Sequence, residues 1–472
     1  MKLPGKRGNL YFSVFAANLA TVSIGTHYSW PSPMLPKLTA QGTFLHLNSD
    51  EASWVSSLNA LGTSFGPFLG GWLIDRVGRR WTIMLAVMIN LLAWIVLLAA
   101  TAVWHIYVGR LLGGISGGVL IVGIPVYVAE IAQPEVRGAV GTVLGFSLSI
   151  GCYIEFCFGP YVSYSTLIYL NFLPACLFLI LFTLYPESPY YLIRKNDISS
   201  AVKSLTWLRN SDSPELVLNE LERMQEEVHK CMAEKARFSD LVKTRGNRKG
   251  LMISCVLAAT QQLSGINVVL VYAQSIFIMA GTSFSSSVSS IIVGTFLVVG
   301  PGLSFPLTRL FGIKNMLVVS AAGMSIFQVS FGAFFYCIYR GYDMSTYWWW
   351  PLISFVGYII TYCVGFGPLA FTVMGEMFPT NIKGLASAIT TGPACWFLGF
   401  LLTLYFNDIS QALGSHMAFF LFAIFCFLSF LFTIFILPDT RGLTLEEILE
   451  LLNGKPGARN YKNRPDSIRP TE

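Results

Sequence analysis

Charge is what this sequence has little of. Only 12% of its 472 residues are Asp, Glu, Lys or Arg, against about 25% in an ordinary soluble chain. A water-soluble body of this size cannot cover itself with so few ions. A cytosolic or secreted enzyme and a disordered scaffold are both excluded. A disulfide framework is missing as well: of the nine cysteines, Cys152, Cys157, Cys176, Cys255, Cys337, Cys363, Cys395 and Cys426 fall inside apolar runs, where no extracellular bridges form. No Asn-x-Ser/Thr glycosylation signal occurs. There is no nucleotide loop, metal-ligand cluster or nucleophile arrangement. The pairs Gly113-Gly114 and Gly117-Gly118 lack the Lys-Ser/Thr that a phosphate loop needs, and suit close helix packing. The expectation is therefore a protein without enzymatic activity, cofactor or metal.

What is present is apolar: 54% of residues are hydrophobic and 14% aromatic. From Ile83 to Val103 the chain carries no charge, which is enough helix to span a hydrocarbon core of roughly 30 Å. Twelve such runs are legible, at about 10–30, 54–74, 82–102, 105–127, 139–160, 166–186, 251–279, 287–308, 315–339, 349–374, 385–406 and 413–437. They are too long for barrel strands and lack apolar–polar alternation. The basic start Met1–Arg7 is not read as a cleavable signal, because the run after it is long and contains Asn18 and His27.

With the N-terminus in the cytoplasm, 28 of the 31 Lys and Arg residues lie in inside segments, Lys37 and Arg340 lie outside, and Arg110 lies within a span. The positive-inside bias then places both termini in the cytoplasm, which requires an even number of spans. The net charge of +6 reports this bias, not a nucleic-acid partner.

Residues 190–249 form the one long polar stretch. Ser213-Pro214 reads as a helix start, and Val217, Leu221, Met224 and Val228 follow at helical spacing, with Glu226–Lys230 as an i,i+4 pair. The halves on either side echo each other. Glu130 to Arg137-Gly138 has the spacing of Glu376 to Lys383-Gly384, 246 residues later, and Pro186-Glu187-Ser188 recurs as Pro438-Asp439-Thr440 after 252 residues. The sequence thus predicts an all-α integral membrane protein of twelve transmembrane helices. They form two six-helix bundles, 1–189 and 250–440, with a cytoplasmic helical linker over 190–249 and a cytoplasmic tail over 441–472. Such a duplication points to a transporter.

After the second span the chain reads Gly71-Trp-Leu-Ile-Asp75-Arg76-Val-Gly78-Arg79-Arg80. This run resembles the loop signature of the major facilitator superfamily. Gly109-Arg110, Glu130 to Arg137-Gly138, Pro186-Glu187-Ser188-Pro189, Gln261-Gln262-Leu-Ser-Gly-Ile-Asn267 and Pro438-Asp439-Thr440-Arg441-Gly442 together resemble the sugar porter family. Within it, Trp54-Val-Ser-Ser-Leu and Phe65-Gly-Pro-Phe are most similar to insect facilitated trehalose transporter-like proteins. The resemblance implies the major facilitator fold and facilitative transport of a small sugar, trehalose or a hexose, by alternating access. A proton-coupled symporter and a non-transporting sugar sensor are the alternatives. The partners implied are the sugar and the lipid bilayer, with a monomer in the plasma membrane as the working unit.

The resemblance also implies a latch of ion pairs at the cytoplasmic helix ends, assigned to Asp75, Arg76, Arg79, Arg80, Arg110, Glu130, Arg137, Glu187, Glu376 and Lys383. Arg110 lies inside a span, where a charge costs roughly 2.5–3.5 kcal/mol on insertion scales, so it must face protein or a cavity, and bundling the fourth span to its neighbours is its expected role. The second-half counterpart of the Asp75 loop, Arg309-Leu-Phe-Gly312-Ile-Lys314, has no acid, which makes the latch asymmetric. Gln261, Gln262 and Asn267 are amides that both donate and accept, as hydroxyl-rich ligands require. By themselves they fit a ligand site or interhelical hydrogen bonds equally well; the resemblance implies sugar contact, with Tyr272, Phe371 and Trp396 around it. Where hexose carriers have polar or aromatic contacts, this chain has Gly145, Gly294, Cys363 and Phe371, and Trp396 falls about one residue off the family position. A roomier site would fit a disaccharide, and equally an unrelated polyol or a poorly binding relative. His27 and Glu155 are the titratable residues left in the spans, either as satisfied structural groups or as proton-linked ones.

Overall fold

A computed structural model describes residues 8–43, 45–211, 217–233, 238–281, 285–441, 443 and 445–453. Among them every regular element is helical, and the chain divides into two compact units, Met1–Lys235 and Ala236–Glu472.

In the first unit, α1 (Gly8–Ser29) and α2 (Pro31–Leu38) precede α3 (Ser49–Arg76), α4 (Arg79–Leu98) and α5 (Val103–Ile131). Then come α6 (Pro134–Phe158), α7 (Tyr164–Phe182), α8 (Pro189–Arg194), α9 (Ile198–Arg209) and α10 (Leu218–Ala233). Local chemistry sets the starts. Asn48 and Glu51 close a reciprocal capping box at α3, with bonds of 2.8 and 2.9 Å, which satisfies two orphan N–H groups. Pro134 stands in the first turn of α6, where its missing N–H costs nothing. α3 and α5 touch backbone to backbone: a Cβ on Gly66 would lie 2.4 Å from the Cα of Gly118. The glycine pairs of α5 therefore do the close packing their spacing suggested.

The second unit holds α11 (Asp240–Lys243), α12 (Arg245–Leu263), α13 (Ile266–Ala280), α14 (Ser286–Phe311) and α15 (Ile313–Tyr339). These are followed by α16 (Trp349–Val364), α17 (Phe366–Glu376), α18 (Thr380–Ile389), a π-helical segment Thr390–Phe397, α19 (Leu398–Leu413), α20 (Ser415–Phe435) and α21 (Leu445–Asn453).

Nine helical stretches among the described residues are long and apolar enough to cross a bilayer. α1, α3 and α6 bring the set to twelve. α1 and α3 are less apolar because they bury polar residues, such as Asn18, Thr21 and Thr26 on α1 and Ser56, Asn59 and Thr63 on α3, and the apolar stretch of α6, Val143–Phe158, is shorter. The runs 251–279, 349–374 and 385–406 lie within the helical stretches Arg245–Ala280, Ser345–Glu376 and Ile382–Leu413, each of which carries an interruption. The first is broken at Ser264–Gly265, the second at Gly365, and the third changes to π-helix at Thr390. A hydropathy run measures transfer energy and does not register one residue of irregular backbone.

The polar stretch packs as its spacing requires. Val217, Leu221, Met224 and Val228 are buried in one cluster with Ile193, Ala201 and Leu205. Ser213 and Pro214, read as its helix start, lie outside the described residues.

Candidate functional site

The break between α12 and α13 is where side chains gather. Gly265 turns the chain at φ +86°, in the left-handed region open to glycine, and a Cβ there would lie 2.5 Å from the Phe422 ring. Breaking a helix inside a membrane frees carbonyls that must find donors. Ser264 O receives two, Gln328 Nε2 and Tyr358 OH, each at 3.0 Å. Gly265→Ala is expected to lower the yield of folded protein and its melting temperature, since both the backbone angle and Phe422 oppose it; an unchanged melting curve would contradict this account.

Gln261 and Gln262 end α12, and Asn267 opens α13 just past the break. Gln261 Nε2 donates to Gly367 O at 3.1 Å, beside the second break. The Cys395 sulfur lies between the two glutamines: Gln262 Nε2 donates to it at 3.2 Å, and it donates to Gln261 Oε1 at 3.5 Å. Gln262 Oε1 is buried and meets no donor among the described residues. Gln262 is 3% exposed and Asn267 1%, so these are interior amides. The break, and not two turns of one continuous helix, brings both amides to Gly399.

Tyr272 is buried on the same side, with its ring 5.2 Å from that of Phe406 and its hydroxyl donating to Thr403 O at 3.4 Å. Trp396 packs at the edge of a small cluster of Ala258, Met374 and Cys395. Phe371 is 39% exposed on α17, one turn after Gly367. Of the positions where polar contacts are absent, Gly145 has open space where a side chain would be, and Cys363 packs on Gly300.

The first unit brings several of the residues assigned to the latch into contact. Arg79 grips Glu130 through Nε at 2.8 Å and Nη2 at 2.7 Å, with side chains only 8% and 17% exposed. Ser188 Oγ donates to the same carboxylate. Glu187 accepts the backbone N–H groups of Arg79 and Arg80 at the start of α4, a favourable place for an anion. Burial raises its carboxyl above the usual range, opposed by the N–H groups of Arg80 and Ser188. Arg80 Nη2 caps Thr183 O at the end of α7 at 2.7 Å, and Arg76 lies over the Trp72 ring. Asp75 pairs with Arg194, at 2.9 Å and largely in solvent. The side chain of Arg137 lies outside the described residues.

The second unit repeats part of this. Thr440 Oγ1 donates to Glu376 at 3.0 Å, as Ser188 does to Glu130, so the echoed motifs make the echoed bond. Lys314 Nζ donates to Leu437 O at 2.7 Å and Ile434 O at 3.1 Å, as Arg80 does to Thr183. Where Arg79 follows Gly78, Ile313 follows Gly312. Lys383 is exposed, with its ammonium beside Gly375. Sequence reasoning missed Lys314, Ser188 and Thr440 as partners, although their equivalent spacing in the halves carried the signal.

Arg110 must be taken out of the latch. Twenty residues of α5 separate it from Glu130, about 30 Å of helix. It is fully buried, donating from Nε to Val55 O at 3.0 Å and from Nη1 to His27 O, and it joins α5 to α1 and α3. His27 stacks on Trp94 at 3.7 Å. Glu155 is fully buried and accepts from Asn171 Nδ2 at 2.6 Å.

Residues 18–452 match the family model described as sugar (and other) transporter. The facilitated trehalose transporter Tret1 of Polypedilum vanderplanki is 35% identical over 448 residues, covering 94% of this chain and 88% of that protein. That of Bombyx mori is 33% identical over 458 residues, covering 97% and 89%. Among solved structures, the xylose transporter XylE from E. coli superposes with a TM-score of 0.77 at 21% identity, over 92% of this chain and 99% of that one. That likeness shows the major facilitator fold. Family model, relatives and repeated loop motifs agree over nearly the whole length, and the chain belongs to the sugar porters of the major facilitator superfamily.

Proposed function

We propose that the protein is a facilitative, ion-independent carrier of a small neutral sugar, trehalose or a hexose, working by alternating access. The supporting observation is the buried, charge-free set of amides at a helix break: Gln261, Gln262 and Asn267. Such groups match hydroxyls, and an ionic substrate would find no counter-charge among them. Tyr272 is assigned as an aromatic wall, and Phe371 and Trp396 as the border of the path. The names of the trehalose-transporting relatives and the thinned contacts at Gly145 and Cys363 favour the disaccharide.

The Arg79–Glu130 cluster with Glu187, and the Glu376–Thr440 bond, act as latches at the Lys- and Arg-rich helix ends. Those ends, both termini and the 190–249 linker face the cytoplasm, and the plasma membrane is the site of action of a monomer. His27 and Glu155 have structural partners, Trp94 and Asn171, and are assigned no proton-carrying role.

Reconstituted vesicles test this. Labelled trehalose and glucose should equilibrate across the membrane without accumulating, at a rate unchanged by an imposed pH gradient. Gradient-driven accumulation abolished by Glu155→Gln would replace the reading with proton symport, and binding without counterflow would replace it with a sensor.

A further inference from the structure

Three rungs face the candidate sugar ligands from one helix. Cys395, Gly399 and Thr403 recur every four residues and so share a face. Cys395 Sγ accepts from Gln262, and Thr403 O accepts from the Tyr272 hydroxyl. The middle rung is bare. A Cβ built on Gly399 would lie 2.3 Å from Asn267 Nδ2 and 2.8 Å from Gln262 Oε1. Gln262 stands before the break at Ser264–Gly265 and Asn267 and Tyr272 stand after it on α13, and the three meet successive turns of this stretch. The first rung, Cys395, lies in the π-helical segment Thr390–Phe397, which has Pro393 inside it and leads directly into α19. Wide turns of this kind are often found at functional sites.

We infer that Gly399 is a specificity-determining positioning residue: its missing side chain is the space into which Gln262 and Asn267 turn their polar ends, and that space sets how these amides meet a sugar. The observation behind it is independent of any resemblance. Gln262 Oε1 is buried, has no donor among the described residues, and points to the place that only glycine leaves open. The atoms a methyl group would meet are the far ends of two flexible side chains, with no backbone in the way. Alanine at 399 therefore folds and turns both amides aside, which changes recognition and not stability.

The inference rests on the reading of these amides as sugar ligands, and the test separates the two. Trehalose and glucose uptake is measured in vesicles for wild type, Gly399→Ala, Asn267→Ala and the double variant, alongside melting temperatures of the purified proteins. Gly399→Ala should raise the KM for at least one of these sugars about ten-fold or more with maximal rate and melting temperature near wild type, since a misdirected buried amide forfeits its hydrogen bond. On the Asn267→Ala background the same change should cost less, because one of the two amides it displaces is already gone. A wild-type KM for Gly399→Ala, equal costs on both backgrounds, or failure of Gly399→Ala to fold each overturns the inference. A wild-type KM for both Asn267→Ala and Gln262→Leu overturns instead the assignment of the amides as ligands.

Discussion

Gln262→Leu should weaken sugar binding by about ten-fold or more while leaving the amount of folded protein in the membrane unchanged. Leucine nearly matches glutamine in volume and keeps the interior filled, so the expected loss is chemical. The variant gives up the bond to the Cys395 sulfur at 3.2 Å, a weak one because sulfur is a poor acceptor. It also gives up an Oε1 that has no other donor among the described residues. If Gln262 served only to hold helices together, the effect would have the opposite form. Interhelical polar contacts are worth about 0.6 kcal/mol on average, and their loss would lower folded protein without touching affinity per molecule. Binding of trehalose, glucose, fructose and polyols to purified protein separates these outcomes. If every transported sugar binds Gln262→Leu as tightly as wild type, the site lies elsewhere.

Glu130→Gln should shift the balance between the two access states by a large factor while leaving intrinsic sugar affinity in place. The Arg79–Glu130 pair is buried, and Arg79 Nε and Nη2 both bond the carboxylate. Removing the charge of one partner leaves a guanidinium facing a neutral amide in a poorly hydrated place, at a cost of about 3–5 kcal/mol when a buried pair is fully broken. A latch made in one state and open in the other transmits much of that cost to the equilibrium between them, and about 1.4 kcal/mol already changes it ten-fold. Asp75→Asn is the control. Its pair with Arg194 is largely in solvent, where such bridges are worth about 0–1 kcal/mol. Cysteine labelling at helix ends, read for both variants, should show a strong change for Glu130→Gln and a slight one for Asp75→Asn. Equal responses would remove Arg79–Glu130 as the dominant latch.

Twelve spans, their duplication and the charged helix ends were legible because each rests on a property summed along the chain or repeated in it. Hydropathy over a window of twenty residues reports the cost of entering lipid. Repeats such as Glu130 to Arg137 and Glu376 to Lys383 survive as strings. The apolar spacing of Val217, Leu221, Met224 and Val228 belongs to the same kind of signal, and those residues are buried together. Arg110 shows where this stops. Its residue type and depth in a span required a partner, but not which one, and the partners are the carbonyls of His27 and Val55.

From sequence alone came the membrane as solvent, the family, the two halves and the residue types from which site and latch are drawn. The tertiary structure decided the rest: that Asp75 turns to Arg194 and Arg79 to Glu130, that Ser188 and Thr440 bind the echoed glutamates, and that Gly399 faces the amides. It also decided that Gln262 and Asn267 come together through a broken helix, where an unbroken one was expected. The physical reason is the same throughout. Partner choice depends on distances between segments far apart in the chain, and a helix break depends on one φ angle and on donors waiting for the freed carbonyls. Neither quantity is additive along the sequence, so only the folded units carry them.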